Sequence, residues 1–278
     1  MTGFVSWAQY QYRRPWAGFH LLRALLGLTY DFGLGRHPEN LSGAYYQTLD
    51  ATVPHQFFAT SMLVTPLVRG LLGWEPNAPA GKATLAPQPP PSWRGMEVRD
   101  LRVGESTIRL QHYREGESIR VNLSVTGPPV DLRYVESIPL GARNIRFRGT
   151  PGRDEARTEG PHDLLDARTL TLAEGAPVAL EYTWEGGLSV EPPAPPLELG
   201  TRSGGLRVLD FTRSGETWVL ELEGDGGKTH SLTLFGAAVE TEAGVALSRD
   251  PRTGRMVHPV SFPGEGRARK VLRLRPVE

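Results

Sequence analysis

Two kinds of hydrophobic periodicity divide the chain. In its first part apolar residues recur at helical spacing. Phe19, Leu22 and Leu26 share one face of a segment from Trp16 to Phe32, and Leu25, Leu28 and Phe32 widen that face. Pro15 suits the first turn of such a helix, where its missing N–H costs nothing. Gly33 and Gly35 suit its end. A second helix is expected from Pro54 to about Leu72. Its apolar residues, Phe57, Phe58, Met62, Leu63, Val64, Leu67, Val68, Leu71 and Leu72, cover nearly the whole circumference, which predicts burial on most sides. Pro66 should kink it or remove one hydrogen bond, and Gly73 is placed to end it. Residues 36–53, between the helices, show no sustained period, and Pro38, Asn40, Ser42 and Gly43 are turn formers.

After residue 95 the period changes from helical to two. Ile108 and Leu110 alternate with polar residues, as do Ile119, Val121 and Leu123, and then Ile145 and Phe147. Leu180, Tyr182 and Trp184 repeat the pattern, followed by Trp218, Leu220 and Leu222, by His230, Leu232 and Leu234, and less regularly by Val271, Leu272 and Leu274. One apolar and one polar face predicts antiparallel sheets with a solvated side. Turns such as Arg114–Glu117 and Gly224–Gly227 separate the strands at the spacing of a β-sandwich. A proline-rich stretch, residues 75–93, marks the change and reads as a semi-rigid joint.

Composition narrows the function. The 278 residues allow one large domain or two ordinary ones. The chain has 31 basic and 31 acidic residues, so the basic surplus of a nucleic-acid binder is absent. It has no cysteine, which excludes thiol catalysis and thiolate metal sites. Seven histidines lack the paired spacing of a metal site, so no metal and no cofactor is expected. The run Phe57–Gly73 is too short for a membrane span and contains Pro66 and Arg69. No signal peptide is read at the start, and the cytoplasm is weakly favoured.

The residues left for chemistry lie in Arg36–Gly73. Glu39 sits in a polar turn, and Tyr45, Tyr46, His55 and Gln56 follow in an otherwise apolar neighbourhood. Aromatic planes with amide and imidazole groups suit a sugar, because rings stack on its C–H face while polar groups bridge its hydroxyls.

HPENLSG, then VPHQFFATSMLVTPLVRGLLG, then LAPQPPPSW followed by VRDLRVG, resembles the end of a six-hairpin glycosidase, closest to bacterial glycogen-debranching-type amylo-α-1,6-glucosidases. The likeness covers residues 1 to about 105. The resemblance implies that Glu39 is the general base of an inverting hydrolysis, with His55, Gln56, Tyr45, Tyr46 and Trp7 lining a sugar pocket. Asn40 and Phe57 depart from the leucine and tryptophan usual in that family, and Ser6 departs before Trp7. Inverting hydrolysis also needs a general acid roughly 6.5–9.5 Å from the base. In the family that acid lies in an earlier hairpin, and of the remaining acids in the helical part Asp31, Asp50 and Glu75 are poor candidates.

The expected architecture is therefore an α+β multidomain chain, with helices of a partial (α/α)6 toroid followed by an antiparallel β-sandwich. Residues 1–74 form the helical hairpins, 75–95 the joint, 96–200 a β-sandwich region, and 201–278 a second β unit or a continuation of the first. The expected function is the C-terminal part of a glycoside hydrolase acting on α-glucosidic bonds of glycogen or branched-glucan type. It supplies the base but not the acid, so its partners are a carbohydrate substrate and an upstream polypeptide carrying the missing helices. The alternative is a non-catalytic module with a helical remnant, which binds carbohydrate or docks on a partner.

Overall fold

The computed structural model describes residues 2–150, 153–193, 198–202 and 204–277, with the side chains of 153–156 left aside. The described residues form three α-helices and fifteen strands. Helices α1 (Thr2–Gln11), α2 (Pro15–Asp31) and α3 (Phe57–Thr65) make one small layer, and a π-helical turn, Pro66–Leu71, continues α3. No helical toroid is present among the described residues, which overturns the expected partial (α/α)6 architecture and the six-hairpin assignment. The protein is mainly β. The physical reason lies in the chain after residue 73: period-two alternation and closely spaced turns leave no further segment able to form a helical hairpin.

The proline stretch is partly ordered as structure. Strands β1 (Trp74–Asn77) and β2 (Lys82–Leu85) form a hairpin across a 3-10 turn, and β2 pairs in parallel with β6 (Val130–Gly149). Strands β3 (Gly95–Val103), β4 (Ser106–Glu115) and β5 (Ser118–Thr126) follow as a meander. Next come β7 (Arg153–Glu159), β8 (Asp163–Leu172) and β9 (Val178–Glu191). Together with β12 (Thr229–Gly236) and β14 (Arg255–Ser261) these make an eleven-stranded sheet. A separate four-stranded sheet runs β10-β11-β15-β13, from β10 (Arg207–Ser214), β11 (Thr217–Asp225), β15 (Arg267–Pro276) and β13 (Val239–Thr241).

Two long strands hold these parts together. The first half of β6 pairs with β8 and its second half with β9. The first half of β9 pairs with β5 and its last residues with β12. The bend in β9 falls at Gly186 and Gly187, both with positive φ, where a side chain would be strained. A Cβ on Gly187 would also stand 3.0 Å from the Cβ of Pro139 in β6. The apolar residues gather into two cores. One lies under the meander and includes Ile108, Leu110, Val121, Leu132, Tyr134 and Tyr182. The other lies between the β12–β14 arm and the four-stranded sheet and includes Leu188, Leu220, Leu234, Val260 and Leu274. Trp218 of β11 is buried in the second core and donates its indole N–H to the carbonyl of Leu140 in β6, at 2.9 Å. That bond ties the small sheet to the large one.

The helical layer is held by close approach. Tyr10 is fully buried. Its ring fills a notch that exists because Gly18 and Gly70 lack side chains: a Cβ on either would come within 2.7 or 2.5 Å of the ring. Ser6 donates to the Gly18 carbonyl at 2.8 Å, and Arg13 pairs with Asp163 of β8 at 2.8 Å. The segment expected to be buried on most sides is instead open on one side: Phe57 is 84% exposed, and Phe58 and Val64 each 52%. Nothing among the described residues covers that face.

Gly3 of α1 lies against α3, and a Cβ there would come within 2.0 Å of the Met62 carbonyl oxygen. Alanine raises helix propensity by about 1 kcal/mol over glycine, but the clash is with backbone and no rotamer relieves it. Overpacking of this kind costs about 1–3 kcal/mol. Gly3→Ala should therefore destabilise the protein in urea unfolding and raise hydrogen exchange in α1 and α3; a stabilised variant would contradict this packing.

Candidate functional site

A cleft of about 990 Å³ lies between the second half of α2, the loop 41–46, the segment around 198–207 and the turn joining β11 to β12. Backbone bonds zip two of these segments together. Tyr46 N–H donates to the Thr201 carbonyl at 2.8 Å, Gly200 N–H donates to the Tyr46 carbonyl at 2.9 Å, and Tyr45 bridges to Arg202. Loop 41–46 has no regular structure of its own, and Ser42 accepts the N–H groups of Ala44 and Tyr45 at 3.2 Å each, a local turn that serine favours.

The zip sets the two tyrosines differently. Tyr46 is buried, meets Phe32 edge-on at 5.7 Å, and donates its hydroxyl to Asp31 at the end of α2. Burial, reinforced by the Asp31 carboxylate, pushes that hydroxyl well above the usual phenol range, so it remains a donor. Tyr45 is 47% exposed and offers its ring to the cleft.

Charges of both signs line the rest of the wall. They are the basic His20, Arg23, Arg202, Arg207, Lys228 and His230 and the acidic Asp31, Glu198 and Asp225. Burial, then Arg23 and Arg207, push His20 below the ordinary imidazole value, favouring its neutral form. Asp225 is the electrostatic anchor. Burial acts to raise its pKa, but the Arg267 guanidinium at 2.8 Å, the Gly205 N–H at 3.1 Å and Lys228 outweigh it, bringing it down to about 2. Asp225 thus pins the 204–207 segment to the end of β11.

Of the residues singled out in the sequence, Tyr45 and Tyr46 line this cleft; Glu39, Trp7, His55 and Gln56 do not. Glu39 is exposed, its N–H donates to the Val53 carbonyl at 3.1 Å, and its carboxylate meets no hydrogen-bond or ion-pair partner among the described residues. His55 is exposed. Gln56 caps the start of α3 through its backbone: its N–H donates to the His37 carbonyl and its carbonyl accepts from Thr60. Trp7 is half-buried beneath Arg69, whose guanidinium carbon lies 5.7 Å from the ring. The histidine that organises this region is His37, which is buried between Thr29 and Thr60 and joins the end of α2 to α3. No motif marks it. Asp225 and Lys228 belong to a Gly-Asp-Gly-Gly-Lys stretch that reads as a turn, and only the fold brings that turn to α2. No group of three or more metal-ligating side chains occurs among the described residues.

No protein family matches the chain, and no curated protein matches it in sequence. The likeness to amylo-α-1,6-glucosidases gains no support from these comparisons. Among solved structures the chain is similar to the crystal structure of Ara127N-Se, a GH127 beta-L-arabinofuranosidase from Geobacillus stearothermophilus T6, at 9% identity and a TM-score of 0.29. The match covers 79% of this chain and 34% of that one, so the chain spans about a third of that protein's length. A likeness this slight carries no argument about fold or activity.

Asp225 has a depressed folded-state pKa, so its stabilising effect is present above the ordinary carboxylate value and is lost as pH falls through about 2. Asp225→Asn should cost about 2 kcal/mol near neutral pH, since hydrogen bonds to a charged group contribute about 1.5–3 kcal/mol. The gap between the two proteins should close as acid unfolding is followed from pH 5 toward about 2. A gap independent of pH would show that the charge on Asp225 is not what holds the turn.

Proposed function

We propose that this chain is a non-catalytic carbohydrate-binding module whose binding surface is the cleft around Tyr45. The observation that carries this reading is the composition of the wall. It combines one half-exposed aromatic ring with a mixed set of donors and acceptors. A tyrosine ring offers a flat apolar face to sugar C–H groups. The guanidinium groups donate to hydroxyls and the carboxylates accept from them. Arg23, Arg202, Arg207 and Lys228 stand among Asp31, Glu198 and Asp225, so the wall is close to neutral and an uncharged ligand rich in hydroxyls suits it. A volume of about 990 Å³ lies at the upper end for a small-molecule pocket and leaves room for more than one sugar unit.

A second reading, in which the chain is part of a glycoside hydrolase acting on α-glucosidic bonds with Glu39 as base, is favoured by one observation. Glu39 stands unpaired on an exposed loop, and the helical layer beside that loop carries large uncovered apolar residues, among them Phe4, Phe57, Phe58 and Val64. Apolar patches of this kind mark contact with another polypeptide, and such a partner can bring a general acid to Glu39.

The two readings separate experimentally. For the first, calorimetry with soluble branched α-glucan and with a neutral β-glucan should show binding to at least one. Tyr45→Ala should weaken it at least tenfold, about the loss expected when an aromatic platform is removed. Absence of binding to either glucan would end this reading. For the second, a native assembly isolated through this chain should release glucose from branched α-glucan. Glu39→Gln should abolish that release while leaving the melting temperature unchanged. An inactive assembly, or full activity in the variant, would end the Glu39 assignment.

A further inference from the structure

We infer that the uncovered face of the helical layer is where a second copy of this chain docks, through a two-fold contact of α1 and α3 with their counterparts. Five apolar residues make that face. Phe57 is 84% exposed, Phe58 and Val64 52% each, Val5 48% and Phe4 43%. They form one surface. The Phe4 and Phe58 rings meet edge-on at 6.0 Å, Val5 adjoins Phe4, and Val64 follows Phe57 by two helical turns on the same side.

Area is sufficient for a specific contact. An aromatic side chain offers about 200 Å², so the three phenylalanines leave about 350 Å² bare. With the two half-exposed valines each copy contributes about 500 Å², and two facing copies bury about 1,000 Å² in all, the size at which a specific interface begins.

Charge selects the partner. No residue of α1 or α3 is charged. Ser61, the hydroxyl between Phe58 and Val64, already donates to the Phe58 carbonyl at 2.7 Å and asks for no polar neighbour. A two-fold contact sets a surface against itself, so any charge near its axis meets its own like. This face has none. A surface bare of charge also has nothing with which to select a foreign protein by electrostatic complementarity. Its match is a surface equally bare, and the second copy supplies one. A lipid surface suits the borders less well. Arg36, Glu39, Asp50 and His55 precede α3, and Arg69 and Glu75 follow it, so the acids there outnumber the arginines. Arg13 and Arg14, beyond α1, are engaged by Asp163 and Asp210. A helix lying in a lipid interface is instead rich in Lys and Arg on its polar side.

The test is the mass of the full chain in solution, followed by sedimentation equilibrium from the low micromolar range upward. The mass should rise from 30.6 kDa toward twice that value and no further, because a two-fold contact closes on itself. Phe57→Asp should weaken the association at least about thirtyfold, the loss of a central anchor. It should leave the melting temperature of the monomer unchanged, since that ring is mostly free of its own chain. Val64→Asp should act in the same direction, which keeps the test available if either variant fails to fold. Val245→Asp, at an exposed valine in the turn after β13, should leave the dimer intact. A chain that stays monomeric at every concentration overturns the inference, and sedimentation of that monomer with phosphatidylserine-containing vesicles would give the face to lipid. Growth past two copies also overturns it, as does association that survives both substitutions or that Val245→Asp abolishes equally. Phe57 and Val64 do not line the cleft, so glucan binding at Tyr45 stands or falls independently. A dimer would occupy the face that the second reading gives to a foreign polypeptide, while glucose release by a native assembly tests that reading separately.

Discussion

The place where β6 and β9 change partners is the constraint on which the rest of the structure depends. Leu140 pairs with Leu188 there, and both are buried. Each strand is long enough to serve two neighbours, but only if it bends. Gly186 and Gly187 give β9 its bend, and Gly141, with φ of +83°, together with the irregularity between Arg143 and Arg146 bends β6. Without the bends, β9 could not leave β5 to reach β12, and the second core would have no roof. The indole bond from Trp218 to Leu140 closes the same junction from the other sheet. Two concavities depend on this geometry. A small recess lies beside the junction, lined by Pro139, Leu140 and Leu188. The cleft opens where β11 turns into β12, the strand that β9 receives beyond its bend.

The helical layer follows a different logic. Its inner side is specified by small residues that permit close approach: Gly18 and Gly70 around Tyr10, and Gly3 against Met62. Its outer side is not matched to anything among the described residues. Helices α1 and α3 carry no charged residue, and Phe4 and Phe58 meet edge-on at 6.0 Å on their surface. A short helix with no charged face cannot satisfy both sides within a layer of three helices. The uncovered side is the price of building that layer from so few helices.

How much of this was legible in the sequence differs by element, for physical reasons. Helix α2 is close to its expected span because its apolar residues fall on one face and Pro15 and Gly33 bound it. The strands bearing Ile108, Val121, Leu180 and Leu220 were visible because one face is buried and the other wet. The second helix was misjudged in extent and burial. It starts at Phe57, after Gln56, and passes into a π-helical turn at Pro66, where the proline cannot donate its hydrogen bond. An all-apolar sequence says that a surface is available to be covered but not that the chain covers it. The toroid failed for a related reason. The motifs that suggested it lie within about the first hundred residues, and local motifs do not carry helix number. The cleft was half legible. Tyr45 and Tyr46 stood out as aromatics beside polar loops, but their partners Arg207, Asp225 and Lys228 arrive from a distant turn, and no local period signals such a meeting.

The two concavities handle their charges differently. In the cleft the charges are partly exposed and screened, so each contributes little alone; what matters is that neither sign dominates. Around the recess Glu136 and Asp163 are desolvated and are met by neighbouring groups, Glu136 by Tyr134 and His112 and Asp163 by Arg13 and Ser137, whereas Glu191 is partly exposed and meets Ser92. Asp163 illustrates the difference. It is almost fully buried, yet it still spares one oxygen, because Arg13 and Ser137 approach the same other oxygen.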